Sequence, residues 1–250
     1  MAGSVSTLFC HPIKGVGRCR VASTDLLAGQ TMADDRIWAV TREASRFDPD
    51  SPAWAACNNF IRAAKAPGLQ MIELSRNGAE YTLKCDGRPV FSFDPDDDSQ
   101  HEGFINWLAQ FIPANRARPK ALVKAPARGM TDSDFPSISI LSTTSLAALA
   151  QAAGKPVEME RFRGNIWLGG FAPWAERGWV GKSIRIGGAE IELREQITRC
   201  MATTANPVSG AQDIATLQLL ENNWGHRQFG LYGVVTKSGP VALNDKVELL

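Results

Sequence analysis

The chain has 250 residues, with 27 Lys+Arg against 26 Asp+Glu and a formal net charge of +1. Hydrophobic residues make up 44% and charged residues 21%, which matches a globular protein and excludes a disordered chain, a fibrous repeat and a coiled coil. So balanced a charge supplies no field to hold nucleic acid or anionic lipid, so any anionic ligand must be held by a few local basic residues.

The first stretch sets Val5, Leu8, Ile13, Val21 and Leu26 among polar residues and glycines, and residues 36–41 read as a strand. Trp54, Cys57, Phe60, Ile61 and Ala64 recur at helical spacing, which predicts a helix over 53–64. Two alternating runs, 70–75 and 80–84, flank Asn77-Gly78, a strong hairpin signal because both positions accept positive φ. An acidic loop at 94–98 lacks the alternating ligands of a calcium loop, and its carboxylates suit the start of a helix over 99–111. Residues 113–136 are rich in Pro, Arg and Lys without periodicity, and read as a connection between two halves.

Beyond it, 138–141 is a short apolar strand, and an alanine-leucine helix over 146–153 ends at Gly154. Strands follow at 165–168, 183–186 and 190–193, with a turn at Gly187-Gly188. A helix at 215–224 precedes strands at 232–236 and 246–250. Many short strands with few helices predict an α+β, β-barrel-rich protein, and a Gly-rich βαβ start is absent.

No run approaches the roughly 18 apolar residues needed to span a bilayer, and the N-terminus lacks a signal-peptide pattern. The five cysteines, Cys10, Cys19, Cys57, Cys85 and Cys200, are scattered with no CxxC, which argues against zinc ribbons and the usual iron–sulfur spacing. The expectation is a cytoplasmic protein with mostly free thiols, acting on neither nucleic acid nor membrane.

The search for a catalytic nucleophile is negative: G-x-S-x-G, the P-loop and HExxH are all missing, and His11, His101 and His226 are far apart. Thr143, Thr144 and Ser145 follow a strand and open a helix, which suits either simple capping or an anion site. Arg161-Phe162-Arg163-Gly164-Asn165 precedes an apolar strand, and Thr198-Arg199-Cys200 follows one. Arginine forks suit an oxyanion, and a thiolate beside Arg199 would suit a soft metal; a surface arginine next to an inert cysteine has the same pattern.

With these motifs the sequence resembles the MOSC-domain proteins, named for the C-terminal domain of molybdenum cofactor sulfurase. The resemblance runs in family order through His11-Pro12-Ile13-Lys14, Asp35-Arg36-Ile37-Trp38, residues 141–146, 161–166 and 198–200, Phe229 to Tyr232 and Asn244-Asp245. It is similar to the amidoxime-reducing branch in particular. The implied fold is an N-terminal MOSC β-barrel domain, residues 1–120, packed on a C-terminal MOSC β-barrel domain, residues 121–250, with peripheral helices.

The implied cofactor is molybdenum–molybdopterin, lying in the cleft between the halves, with Cys200 as metal ligand and Arg199 beside it as the catalytic pair. Lys14, Gly15, Arg36, Arg163, Asn165, Thr198 and Tyr232 become cofactor-binding residues, with Thr143, Thr144 and Ser145 as an anion site. Gly15 stands where the branch usually has Ser. The implied reaction is two-electron reduction of an N-hydroxylated small molecule. As the chain carries no ferredoxin-like tail, the electrons are expected from a separate ferredoxin-, flavoprotein- or cytochrome b5-like donor. The competing reading is a sulfur or cofactor carrier working through a Cys200 persulfide, without turnover.

Overall fold

A computed structural model describes residues 3–126 and 128–250; Met1, Ala2 and Ala127 lie outside the described residues. Alternation of apolar and polar residues produces its main feature. In strand Ala189–Thr198, Ala189, Ile191, Leu193 and Ile197 turn inward, and in Ser183–Ile186, Ile184 and Ile186 do the same. Side chains alternate across a strand, so each contributes one apolar row to a shared interior.

Seven strands close into a barrel in the order Ile166–Gly169, Ile138–Ser142, Gln228–Lys237, Ala189–Thr198, Ser183–Ile186, Lys246–Leu249 and Gly3–Cys10. The last of these returns to the first, pairing Leu8 with Ile166 and Val5 with Leu168. Closure removes the open edges that a sheet of this size would otherwise present. The interior is filled by Val5, Leu8, Ile140, Ile166, Ile191, Leu231 and their neighbours.

Strand Ile138–Ser142 is buried on both faces because helices cover its outer side. Among the described residues three helices accompany the strands: α1 (His101–Ala109), α2 (Thr143–Ala153) and α3 (Thr216–Trp224). On that outer side Leu141, Trp167 and Phe229 pack against Leu146 and Leu149 of α2 and Leu220 of α3. Helix α2 begins where Ser142 accepts from the Ser145 N–H, and ends at Gly154 in the left-handed region, φ 67°.

The first half has a separate core. Strands Ile13–Lys14, Trp38–Arg42 and Pro119–Lys124 form one sheet, and Glu73–Asn77, Glu80–Lys84 and Phe91–Phe93 another. Phe93, Phe104 and Trp107 join Leu69, Leu83 and Val40 between them, with Phe104 and Trp107 on helix His101–Ala109. The Asn77-Gly78 hairpin is present, with Gly78 at φ 61°. The expected β-barrel-rich α+β class is observed.

Two local expectations are corrected. Residues 53–64 hold no α-helix: a short 3-10 turn spans Cys57–Asn59, and Phe60 bridges Thr41 while Ile61 N–H donates to Val40 O at 2.8 Å. The edge of strand Trp38–Arg42 captures the segment, and this tertiary pairing outweighs the helical spacing. Within 113–136, read as a connection, Pro119–Lys124 pairs along the same strand. Its alternation is too short to register as a pattern, and the neighbouring strand supplies the order.

The start of α2 carries a buried polar cluster. Ser145 Oγ donates to Glu176 at 2.7 Å and accepts from Trp174 N at 2.8 Å, and Glu176 is 2% exposed. Burial pushes the Glu176 carboxyl above its ordinary range, while the Ser145 bond pulls it back. Ser145→Ala is expected to lower unfolding stability by about 1–3 kcal/mol, measured by urea denaturation at neutral pH.

Candidate functional site

Where the barrel meets the first half, a cavity of about 260 Å³ is lined from both parts of the chain. Lys14 reaches it from the two-residue strand Ile13–Lys14, Gly15 from the turn that follows, and Arg36 from the turn before Trp38. Arg163 comes from the turn before strand Ile166–Gly169, Thr198, Arg199 and Cys200 from the end of Ala189–Thr198, and Tyr232 from Gln228–Lys237. Sequence reasoning named all eight of these residues.

It did not name Arg62, Arg161, Cys57 and Asp132, which line the same cavity. Arg161 lay in the Arg-Phe-Arg-Gly-Asn motif and was legible there. Arg62 and Cys57 lay in the segment read as a helix, and Asp132 in the stretch read as a connection, so no pattern marked them.

Six cationic side chains, Lys14, Arg36, Arg62, Arg161, Arg163 and Arg199, thus face a single carboxylate, Asp132, in the cavity wall. Lys14 is 4% exposed, pairs with Asp132, and donates to Met130 O at 2.7 Å. Burial works against the Asp132 ion, but Lys14 holds its carboxyl below the usual range. Arg36 pairs with the fully buried Asp35, whose other oxygen accepts from His11 N at 2.8 Å. Burial opposes that carboxylate too, and Arg36 keeps it ionised.

Arg163 has no carboxylate partner among the described residues and donates to Gly17 O at 2.9 Å. Burial, then the neighbouring Arg36, pull its pKa down to about 9. Burial likewise brings Arg199 down to about 10. Arg199 donates to Phe229 O at 2.8 Å and Phe162 O at 2.9 Å and lies over both rings, and its remaining nitrogen Nη2 is buried without a partner. Arg161 pairs with Glu158 and, at 2.8 Å, with Asp213, and its Nη2 is buried without a partner. Burial pushes the Tyr232 hydroxyl up to about 12, so it keeps its proton through neutral pH. Cys200 is exposed at the edge of this positive ground.

The backbone is bent to bring these groups together. Arg36 and Arg163 sit in the left-handed region at φ 55° and 48°, a conformation that costs a non-glycine residue about 1–3 kcal/mol. Gly15 has φ 76°, and a Cβ there would stand 2.8 Å from Ile61 O. A side chain on this backbone would meet the Ile61 carbonyl, which accounts for glycine here.

Four predicted residues have other duties. Thr143, Thr144 and Ser145 do not line the cavity. Thr143 donates to Leu168 O, Thr144 bonds Ser142, and Ser145 serves Glu176, so the expected anion site is corrected to helix capping and barrel packing. Asn165 faces a small recess beside Arg36 and Tyr232, but its amide is spent internally. Its Oδ1 accepts from Ser139 N–H and Oγ at 3.1 and 2.7 Å, and its Nδ2 donates to Phe9 O at 3.3 Å. Asn165 therefore positions the turn that carries Arg163.

The family models agree with this architecture: the MOSC N-terminal beta barrel domain matches residues 2–114, and the MOSC domain residues 129–248. The chain belongs to the MOSC family. The mitochondrial amidoxime-reducing component 1 of Homo sapiens is 24% identical over 302 residues, covering 99% of this chain and 83% of that protein. The mitochondrial amidoxime reducing component 2 of Rattus norvegicus is 25% identical over 285 residues, covering 98% and 82%. Among solved structures, the YUAD protein from Bacillus subtilis aligns over 100% of this chain and 96% of its own, at 15% identity and a TM-score of 0.49. In this MOSC chain no described helix is long and apolar enough to cross a membrane.

Two measurements test the positioning of the site. Asn165→Ala is expected to cost about 2–4 kcal/mol, because two buried strands lose their bridge, read as a shift in the urea midpoint. His11 is held neutral, its pKa pulled to about 3 by burial and by Arg163. Below pH 6.5 the unfolded chain therefore binds the proton more readily, so stability is full above that value and falls as pH drops toward 3. His11→Gln should flatten the profile between those limits in thermal melts.

Proposed function

We propose that the protein binds a molybdenum–molybdopterin cofactor and reduces N-hydroxylated small molecules, with electrons from a separate ferredoxin-, flavoprotein- or cytochrome b5-like protein. The observation that carries this reading is one cavity lined by six cationic side chains, three of which, Arg62, Arg163 and Arg199, have no ion-pair partner among the described residues, with the exposed Cys200 thiol at its edge. The orphaned nitrogens of Arg161 and Arg199, and Arg163 with carbonyl partners only, fit an anionic phosphate group. The described residues contain no group of three or more His, Cys, Asp or Glu side chains able to cage a metal. A metal beside Cys200 would then arrive with most of its own ligands, as a pterin dithiolene provides, and take one soft thiolate from the protein. Similarity to amidoxime-reducing components along nearly the whole chain supports the same reading.

When bound, the cofactor supplies two-electron removal of oxygen from nitrogen, and the protein supplies binding and electrostatics. Overall, a hydroxylamine-type substrate takes up two electrons and two protons and releases water. Cys200 is the metal ligand. Arg163, Arg36 and Lys14 hold the cofactor's anionic end, and an anion there relieves the repulsion between Arg36 and Arg163. Arg199, braced by two carbonyls and two aromatic rings, sets positive charge beside the thiolate. Tyr232, protonated at neutral pH, is a hydrogen-bond donor. Thr198 completes the loop.

The test is molybdenum and pterin content of protein made in a host that synthesises the cofactor. Wild type should carry about one of each per chain, and Cys200→Ala should lose at least about tenfold of the metal. Wild-type protein without molybdenum or pterin would overturn the reading. A sulfane sulfur that disappears in Cys200→Ala would then support the carrier function.

A further inference from the structure

A second cavity, of about 320 Å³, opens beside the first and takes no part in the chemistry above. Its rim is Arg42, Arg62, Lys65 and Arg116, and its lining contains no carboxylate. Its floor is apolar: Phe60, Ile61 and Ile112 are each almost fully buried in their own packing, yet border the space. In a chain of net charge +1, a concave surface with four cations and no acid is a local excess that the composition does not predict. None of the four is in an ion pair with a described residue, although ion pairs engage many of the other basic side chains.

The bonds the rim does make leave most of its donors uncommitted. Arg42 gives one nitrogen to Asn58 O, and Arg62 gives one to Cys57 Sγ at 2.8 Å. Lys65 and Arg116 are exposed and make no side-chain hydrogen bond with a described residue. The segment captured by strand Trp38–Arg42 separates the two cavities. Cys57 and Ala64 face the first, Asn58 and Lys65 the second, and Arg62 borders both.

We propose that this second cavity is a binding site for a small phosphoester with a planar apolar body, the size of one mononucleotide. The rim supplies charge-assisted donors for the phosphate, and guanidinium groups suit its oxygens. The floor of Phe60, Ile61 and Ile112 takes the apolar body, since small-molecule sites combine an apolar lining with a few convergent polar groups. Inorganic phosphate alone would leave that floor uncovered. Apart from Arg62, which borders both cavities, the lining of this site is separate from that of the first.

The experiment is calorimetric titration of the purified full-length protein at low ionic strength with adenosine 5′-monophosphate, adenosine and inorganic phosphate. The nucleotide should bind at least about tenfold more tightly than either fragment. The double variant Lys65→Ala/Arg116→Ala, at two exposed positions, should weaken the nucleotide at least about tenfold with its melting temperature and molybdenum content unchanged. Arg163→Ala, in the first cavity, should leave nucleotide affinity intact. The proposal is overturned by no nucleotide binding at about 1 mM, by equal affinity for nucleotide and either fragment, or by loss of binding in Arg163→Ala but not in the double variant.

Discussion

Closure of the barrel by the first strand is the constraint on which the rest of the molecule depends. Gly3–Cys10 fills the gap between Ile166–Gly169 and Lys246–Leu249, and without it both would be open edges. Because the strand is spent at Cys10, the chain emerges beside the turn that precedes Ile166. Phe9 N–H donates to Asn165 O at 2.8 Å, and the Asn165 amide returns a bond to Phe9 O. Ile13 and Gly17 are thereby delivered against Arg163, about 150 positions later in sequence, and Lys14 joins the end of strand Ala189–Thr198 at one cavity. The site is a consequence of where the closing strand stops.

Charge is arranged around that junction in two tiers. Asp35, buried behind the wall, and Asp132, exposed in the wall itself, are carboxylates kept ionised by Arg36 and Lys14, and they hold those cations in position. Arg163 and Arg199 are half-buried in the wall with carbonyls as partners, and desolvation lowers both from their ordinary range. Carbonyl dipoles satisfy donors without cancelling charge, so the cavity remains positive although the chain as a whole is almost neutral. Left-handed backbone at Arg36 and Arg163 is the strain retained to gather these groups.

Single residues show how much was legible beforehand. Gly78 and Gly154 behave as the sequence implied, because the turn and the helix end depend on neighbours within a few positions. Residues 53–64 do not, because Phe60 and Ile61 gain a strand edge that their own spacing cannot reveal. Thr143 to Ser145 were read as capping or anion binding, and their buried partners, Leu168 O and Glu176, decide for capping and packing. Asn165 lay in the right motif, but which of its neighbours its amide serves depended on strands at Phe9 and Ser139.

From the sequence by itself came the β-rich class, the hairpin, the helix ends and, through ordered family motifs, the residues that meet at the first cavity. These rest on local periodicity, turn chemistry and resemblance along the chain. Tertiary structure alone decided the closure of the barrel, the recruitment of Arg62 and Asp132, the release of Thr143 to Ser145 from the site, and the second basic cavity. Each of those depends on groups far apart in the chain whose hydrogen bonds and charges act only once packing has removed the water between them.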